Sequence, residues 1–153
     1  MYNYCYSENI IYQDLGEQDK TWTEVKSICD SLGEGGYRLP TPDSQEYNDS
    51  LIKLAKNDMA IGFSKKENHE WTNAYTGTIN ILIPYYQYDI RINNYISEQP
   101  LTWTNWASGE PNYTGNPKFV QMWKGKNYQW DDVGNGRDTH HVICVKTGNY
   151  YSL

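Results

Sequence analysis

The helical pattern of this chain is confined to its first third, and this limits the folds that it can adopt. Residues 21–32 open with a capping-box pair, Thr21 and Glu24, and Gly33 supplies a stop signal. Their apolar residues fall on one helical face: Trp22, Val25, Cys29 and Leu32. A second helix is predicted from Thr41, the N-cap before Pro42, to about Asn57. Its predicted buried side consists of Tyr47, Leu51, Leu54 and Ala55.

Beyond these helices the apolar segments are short and typical of strands. Strands are predicted at residues 60–63 and 70–72, as a hairpin formed by 119–123 and 128–130, and at 139–146. Two early helices followed by short strands predict an α+β fold. The 153 residues suit a single domain spanning 1–153, with an insertion around 75–102.

Composition excludes two classes of function. The net charge of −6 argues against nucleic-acid binding, which needs a basic face. No apolar run reaches the roughly 18 residues that a membrane span requires. The 15 Tyr and 6 Trp fit a binding surface and a polar sheet core equally well. Among the Trp residues, Trp103, Trp106 and Trp130 are predicted to be core anchors.

Two short segments carry oxygen ligands beside aromatic residues. Glu110 and Asn112 flank a proline in the Gly-, Pro- and Asn-rich stretch 103–117, which is predicted to be a long ordered loop. Asp131 and Asp132 follow Trp130. Ca²⁺ prefers several carboxylate and amide oxygens in a flexible geometry. The four side chains therefore form a Ca²⁺ site if the fold brings them together. Neighbouring side chains in a strand diverge, so Asp131 and Asp132 are expected to point apart unless a metal gathers them.

The three cysteines are Cys5, Cys29 and Cys144. A bridge between Cys29 and Cys144 would close a loop of over a hundred residues. Two separate buried thiols are the alternative, and spacing alone leaves both open.

Taken in order, these segments resemble the C-type lectin-like domain. The resemblance covers roughly residues 20–147 and rests on six motifs in the same order as in the family. In the first half, Trp22 to Cys29 resembles the first helix, Arg38 to Pro42 the link into the second, and Ala60-Ile61-Gly62-Phe63 the core strand. In the second half, Trp103 to Trp106 followed by Glu110-Pro111-Asn112 resembles the long loop, Trp130-Asp131-Asp132 the next strand, and Val142 to Val145 the closing strand.

The resemblance implies a bridge between Cys29 and Cys144. The second bridge of the family is missing at both ends, where Phe119 and Asn135 stand. Cys5 is then either free or a link between two chains, which would make a homo-oligomer.

For the site, the resemblance implies that Ca²⁺ is the cofactor. Its ligands would be Glu110, Asn112, Asp131 and Asp132. The family usually has Asn where this chain has Asp131, and Glu where it has Pro117 or Lys118. Asn116 is a candidate substitute ligand.

The family associates the Glu-Pro-Asn pattern with mannose, fucose, glucose and N-acetylglucosamine. The resemblance implies that Glu110, Asn112, Asp131 and Tyr113 contact such a sugar, and that Pro111 is cis. It also implies a secreted or extracellular lectin, as in cell adhesion. No Ser-His-Asp or paired-carboxylate arrangement stands out in the sequence, so enzymatic activity is not expected. The alternative is an interaction domain of the same fold that binds a protein or another surface without sugar. Two N-glycosylation sequons begin at Asn48 and Asn112, and a glycan on Asn112 would remove it as a ligand.

Overall fold

The computed structural model describes residues 9–33, 36–75 and 101–148. The predicted insertion at 75–102 falls almost wholly outside the described residues, and so does Cys5. The elements run β1 (Asn9–Lys20), α1 (Trp22–Asp30), α2 (Gln45–Leu54), β2 (Met59–Lys65), β3 (Thr72–Asn73), β4 (Lys118–Trp123), β5 (Gln129–Val133) and β6 (Asp138–Gly148). Two helices with small antiparallel sheets confirm the α+β class.

The first helix forms where its capping pattern predicts. The hydroxyl of Thr21 accepts a hydrogen bond from the Glu24 backbone N–H at 3.2 Å, and the Glu24 carboxylate accepts one from the Thr21 N–H at 2.8 Å. These two bonds satisfy backbone donors that a helix start leaves without partners. The predicted face is buried at Trp22, Val25 and Cys29.

The second helix starts later than predicted. Its N-cap is Ser44, whose hydroxyl accepts from the Tyr47 N–H at 3.2 Å, so Thr41 is not the cap. The preceding segment is held extended, because Arg38 pairs with Val145 and the Pro40 carbonyl accepts from the Gly62 N–H at 2.7 Å. The helix also ends at Leu54, which is 38% exposed and not on the buried side.

The N-terminal strand β1 was missing from the sequence prediction. It pairs antiparallel with β6, and a bulge interrupts the register between Asp14 and Glu17. A strand that gains most of its contacts from a partner 120 or more residues away carries little local signal of its own. The remaining strands form a sheet in the order β3-β2-β4-β5, and the predicted hairpin is its β4–β5 pair.

A disulfide between Cys29 and Cys144 joins α1 to β6, as the resemblance implied. Both cysteines are buried in a cluster with Trp22, Val25 and Leu39. Free buried thiols, the alternative, are therefore not what the structure contains.

The two positions that lack the second bridge both contact the start of α1. The Phe119 ring stacks on Trp22 with centroids 4.3 Å apart. The side chain of Asn135 accepts from the Thr23 N–H at 3.0 Å and donates to the Thr23 hydroxyl at 2.8 Å. The stacked rings thus connect β4 to the first turn of α1, and the two hydrogen bonds connect the loop after β5 to the same turn.

Trp130 is the centre of the larger core cluster and is fully buried. Its indole N–H donates to the side-chain oxygen of Asn48 at 3.0 Å. Asn48 is 0% exposed, so its side chain is part of the core. In the folded domain this sequon is therefore inaccessible to a glycosyltransferase.

Replacing Asn48 by Ala is expected to lower the free energy of unfolding by about 1–3 kcal/mol, because the buried indole N–H of Trp130 loses its acceptor. Thermal unfolding measures the loss. The control is Asp49→Ala, an exposed position on the same helix. Equal melting temperatures for the two variants would contradict the role given to Asn48.

Candidate functional site

The loop that precedes β4 is fastened to β5 by backbone hydrogen bonds. The Ala107 N–H donates to the Trp130 carbonyl at 2.9 Å, and the Trp130 N–H donates to the Asn105 carbonyl at 2.7 Å. The rings of Trp103 and Trp106 meet Trp130 edge-on, with centroids 5.5 and 5.8 Å away. All three Trp residues are core anchors as predicted, and they bring the loop against the strand that carries the aspartates.

This arrangement gathers three of the four predicted ligand side chains at one point. One carboxylate oxygen from each of Glu110, Asp131 and Asp132 lies within 4.8 Å of the others. The Glu110–Pro111 peptide bond is cis, as the resemblance implied.

Backbone N–H groups of the loop hold Asp132 in place. Its carboxylate accepts from the Asn112 N–H at 2.6 Å and from the Tyr113 N–H at 3.0 Å. Asp132 is only 3% exposed, and a buried carboxylate needs such donors. The bonds fix the loop to β5 across twenty residues of chain.

Asn112 is exposed and turns its amide toward Glu110. Its Nδ2 donates to one Glu110 carboxylate oxygen at 2.8 Å, and its backbone N–H donates to the other at 3.1 Å. The pair thus presents a carboxylate acceptor and an amide side by side. A cation-binding and hydroxyl-binding site can use both groups.

Partial burial, together with neighbouring carboxylates, raises the pKa values of Glu110 and Asp131. Partial burial raises the pKa of Glu110, and the negative charge of Asp131 raises it further. Partial burial also raises the pKa of Asp131, and the charge of Asp132 adds to the rise, while a hydrogen bond from Gln121 opposes it. The folded domain therefore carries closely spaced negative charge that a bound cation would relieve.

Asp131→Asn is expected to stabilise the domain in a chelator at about pH 7, raising the melting temperature by about 2 °C. A carboxyl with a raised pKa holds its proton more tightly in the folded state, so the stability it contributes is lost as the pH rises through that pKa. Below the ordinary carboxyl pKa of 3.8, the side chain is protonated in both states and the two proteins should converge. A melting-temperature difference that is as large below pH 3.8 as at about pH 7 would contradict the electrostatic cause.

Three other residues of the loop region lie at its surface or rim. Tyr113 is 37% exposed, and its ring lies against Gly115 and Gly134, where a Cβ would have no room. Asn116 is exposed and precedes a second cis peptide bond, to Pro117. The ammonium of Lys118, at the position where an acid was expected, donates to the Tyr113 carbonyl. The role of Asn116 as a substitute ligand stays a prediction.

Sequence reasoning missed Gln121, which is buried and donates from Nε2 to Asp131 at 3.1 Å. The signal was present in the chain: an amide stands in the middle of a strand whose neighbours, Val120 and Met122, are apolar.

Known proteins share this architecture. No model of a known protein family matches the chain. A perlucin-like protein from Mytilus galloprovincialis is 23% identical over 133 residues, which are 82% of this chain and 69% of that protein. The C-type carbohydrate-recognition domain of cow CD23, solved in the presence of a GlcNAc2Man3 oligosaccharide, superposes with a TM-score of 0.66 at 25% identity, over 95% of this chain and 94% of that one. The chain has the C-type lectin-like fold.

A second solved structure shares the fold. A calcium-independent type II antifreeze protein superposes with a TM-score of 0.65 at 17% identity, over 90% of this chain and 86% of that one. A likeness at that identity concerns the fold alone. The lectin-type carbohydrate-recognition domains that resemble this chain are non-enzymatic, in agreement with the prediction that it is not an enzyme. Among its described helices, none is long and apolar enough to cross a membrane.

Proposed function

We propose that this domain is a Ca²⁺-dependent lectin for mannose-type sugars. The observation that carries the proposal is the convergence of Glu110, Asp131 and Asp132 within 4.8 Å, with Asn112 beside them. The donor set fits the ion, because Ca²⁺ takes carboxylate and amide oxygens and would neutralise the negative charge that, after burial, raises the pKa of Glu110 and Asp131.

The residues around the ion would act as follows. A bound Ca²⁺ would accept two vicinal sugar hydroxyls as ligands. The Glu110 carboxylate would accept a hydrogen bond from one hydroxyl, and the Asn112 amide would turn from Glu110 to donate to that hydroxyl's oxygen. This order of acceptor and donor is the one that the family associates with equatorial 3- and 4-hydroxyls.

Asp131 changes this pattern at the second hydroxyl. A carboxylate accepts hydrogen bonds but donates none, whereas the Asn usual in the family does both. We therefore propose a mannose-type preference in which the second hydroxyl only donates to residue 131. The exposed part of Tyr113 is the proposed further contact with the sugar.

The first experiment is binding to mannose-agarose with Ca²⁺ and with EDTA. Elution by EDTA and by free mannose is the expected result. Retention that chelation does not change would contradict Ca²⁺ dependence.

The double variant Glu110→Gln/Asn112→Asp is expected to shift preference from mannose toward galactose, because it exchanges the acceptor and the donor at the first hydroxyl. Glycan-array binding of both proteins in Ca²⁺ measures the shift. Unchanged selectivity would mean that these two residues do not contact the sugar.

A sugar-independent interaction domain is the second candidate. Two observations favour it: Lys118 replaces an expected acid, and the calcium-independent antifreeze protein shares the fold. The column experiment separates the candidates, because this one predicts no retention on mannose in either buffer.

We also propose that the domain is extracellular, since its disulfide requires an oxidising compartment. A single shallow sugar site binds weakly, so several copies would provide avidity. Dimers linked through Cys5 would provide two copies. We expect such dimers to give a band at twice the monomer mass on a non-reducing gel, and Cys5→Ser to remove that band.

A further inference from the structure

Gln121 is a buried amide placed between two strands at the edge of the carboxylate cluster. It lies in β4 opposite Ala60 of β2 on one side and Asp131 of β5 on the other. Only 6% of its surface is exposed. A polar side chain buried in a sheet needs a hydrogen-bond partner, and the Asp131 carboxylate is the one that its Nε2 reaches, at 3.1 Å.

The three carboxylates differ in what holds them. Asp132 accepts from two backbone N–H groups, and Glu110 accepts from the backbone and side chain of Asn112. Within the described residues, Asp131 has Gln121 as its neutral donor. The amide engages the Oδ2 atom of this carboxylate.

We propose that Gln121 is a positioning residue that orients Asp131 for the ion. This inference rests on the proposed Ca²⁺ site and deepens it. The amide turns the carboxylate toward Glu110 and Asp132 and adds no charge of its own to the cluster. Partners of this kind behind metal ligands typically change ion affinity by about 10–100-fold when removed.

The test compares Gln121→Met with Gln129→Met, which makes the same chemical change at an exposed position of β5. Isothermal titration with Ca²⁺ gives the affinity, and thermal unfolding in EDTA gives the stability of the ion-free domain. Gln121→Met is expected to weaken Ca²⁺ binding about tenfold with an unchanged melting temperature in EDTA. Gln129→Met should change neither quantity.

A second pair of proteins asks whether the effect passes through Asp131. In an Asp131→Ala background, Gln121→Met should have less than a twofold further effect on the Ca²⁺ affinity, because residue 131 then has no oxygen for Gln121 to orient. A full tenfold loss in that background would overturn the inference. So would a Gln121→Met protein that binds Ca²⁺ like the wild type, or one that loses stability in EDTA together with affinity.

These outcomes are distinct from failure of the proposed function. If the wild type shows no Ca²⁺ binding, the lectin proposal fails and this inference falls with it. If the wild type binds Ca²⁺ and Gln121→Met binds equally well, only the positioning role is overturned.

Discussion

Loss of the Cys29–Cys144 bridge is expected to lower the free energy of unfolding by about 4–5 kcal/mol, because the bridge spans 115 positions and restricts the unfolded chain. Domains of this size are stable by roughly 5–15 kcal/mol, so most of the margin would disappear. The double variant Cys29→Ala/Cys144→Ala should melt about 10–20 °C below the wild type. Thermal unfolding in Ca²⁺-free buffer is the measurement.

Two comparisons assign the loss to the crosslink. Cys5→Ala removes a thiol and leaves the bridge, and it should melt like the wild type. Reduced wild type keeps both side chains and loses only the covalent bond, so it should melt near the double variant. A reduced wild type as stable as the oxidised protein would show that the double variant is destabilised by lost packing around its two buried positions.

The second large effect is expected at Asp132. Asp132→Asn should weaken Ca²⁺ binding by about 100-fold, because it removes a proposed ligand charge and disturbs the loop that presents Asn112. An amide has one neutral acceptor oxygen in place of two charged ones, so the hydrogen bonds from the Asn112 and Tyr113 N–H groups should weaken and the ion-free domain should also lose about 1 kcal/mol. Calorimetric titration and unfolding in EDTA measure the two effects.

The control for charge is Asp43→Asn, an exposed carboxylate just before α2. It makes the same change in net charge and should leave Ca²⁺ affinity within about twofold, since exposed charges are screened. If Asp132→Asn lost stability but bound Ca²⁺ normally, Asp132 would brace the loop without being a ligand.

The successes and failures of sequence reasoning follow the range of the interactions involved. The capping box of Thr21 and Glu24 and the β4–β5 hairpin depend on residues close in sequence, and both formed as predicted. The start of α2 did not, because a bridge from Arg38 to Val145 and a bond from Gly62 to Pro40 keep the preceding segment extended. Strand β1 was missed for the same reason, as its partner is β6 at the far end of the chain.

The sequence by itself determined the chemistry of the site. It placed Glu110 and Asn112 around a proline and two aspartates after a strand, and those oxygens suit Ca²⁺ wherever they meet. Only the tertiary structure decided that they meet. Adjacent side chains of a strand diverge, and two sets of contacts hold Asp131 and Asp132. The buried amide of Gln121, on the neighbouring strand of the hairpin, binds Asp131, and loop N–H groups about twenty residues away bind Asp132. The loop contacts depend on how the loop packs against β5, which no local pattern encodes.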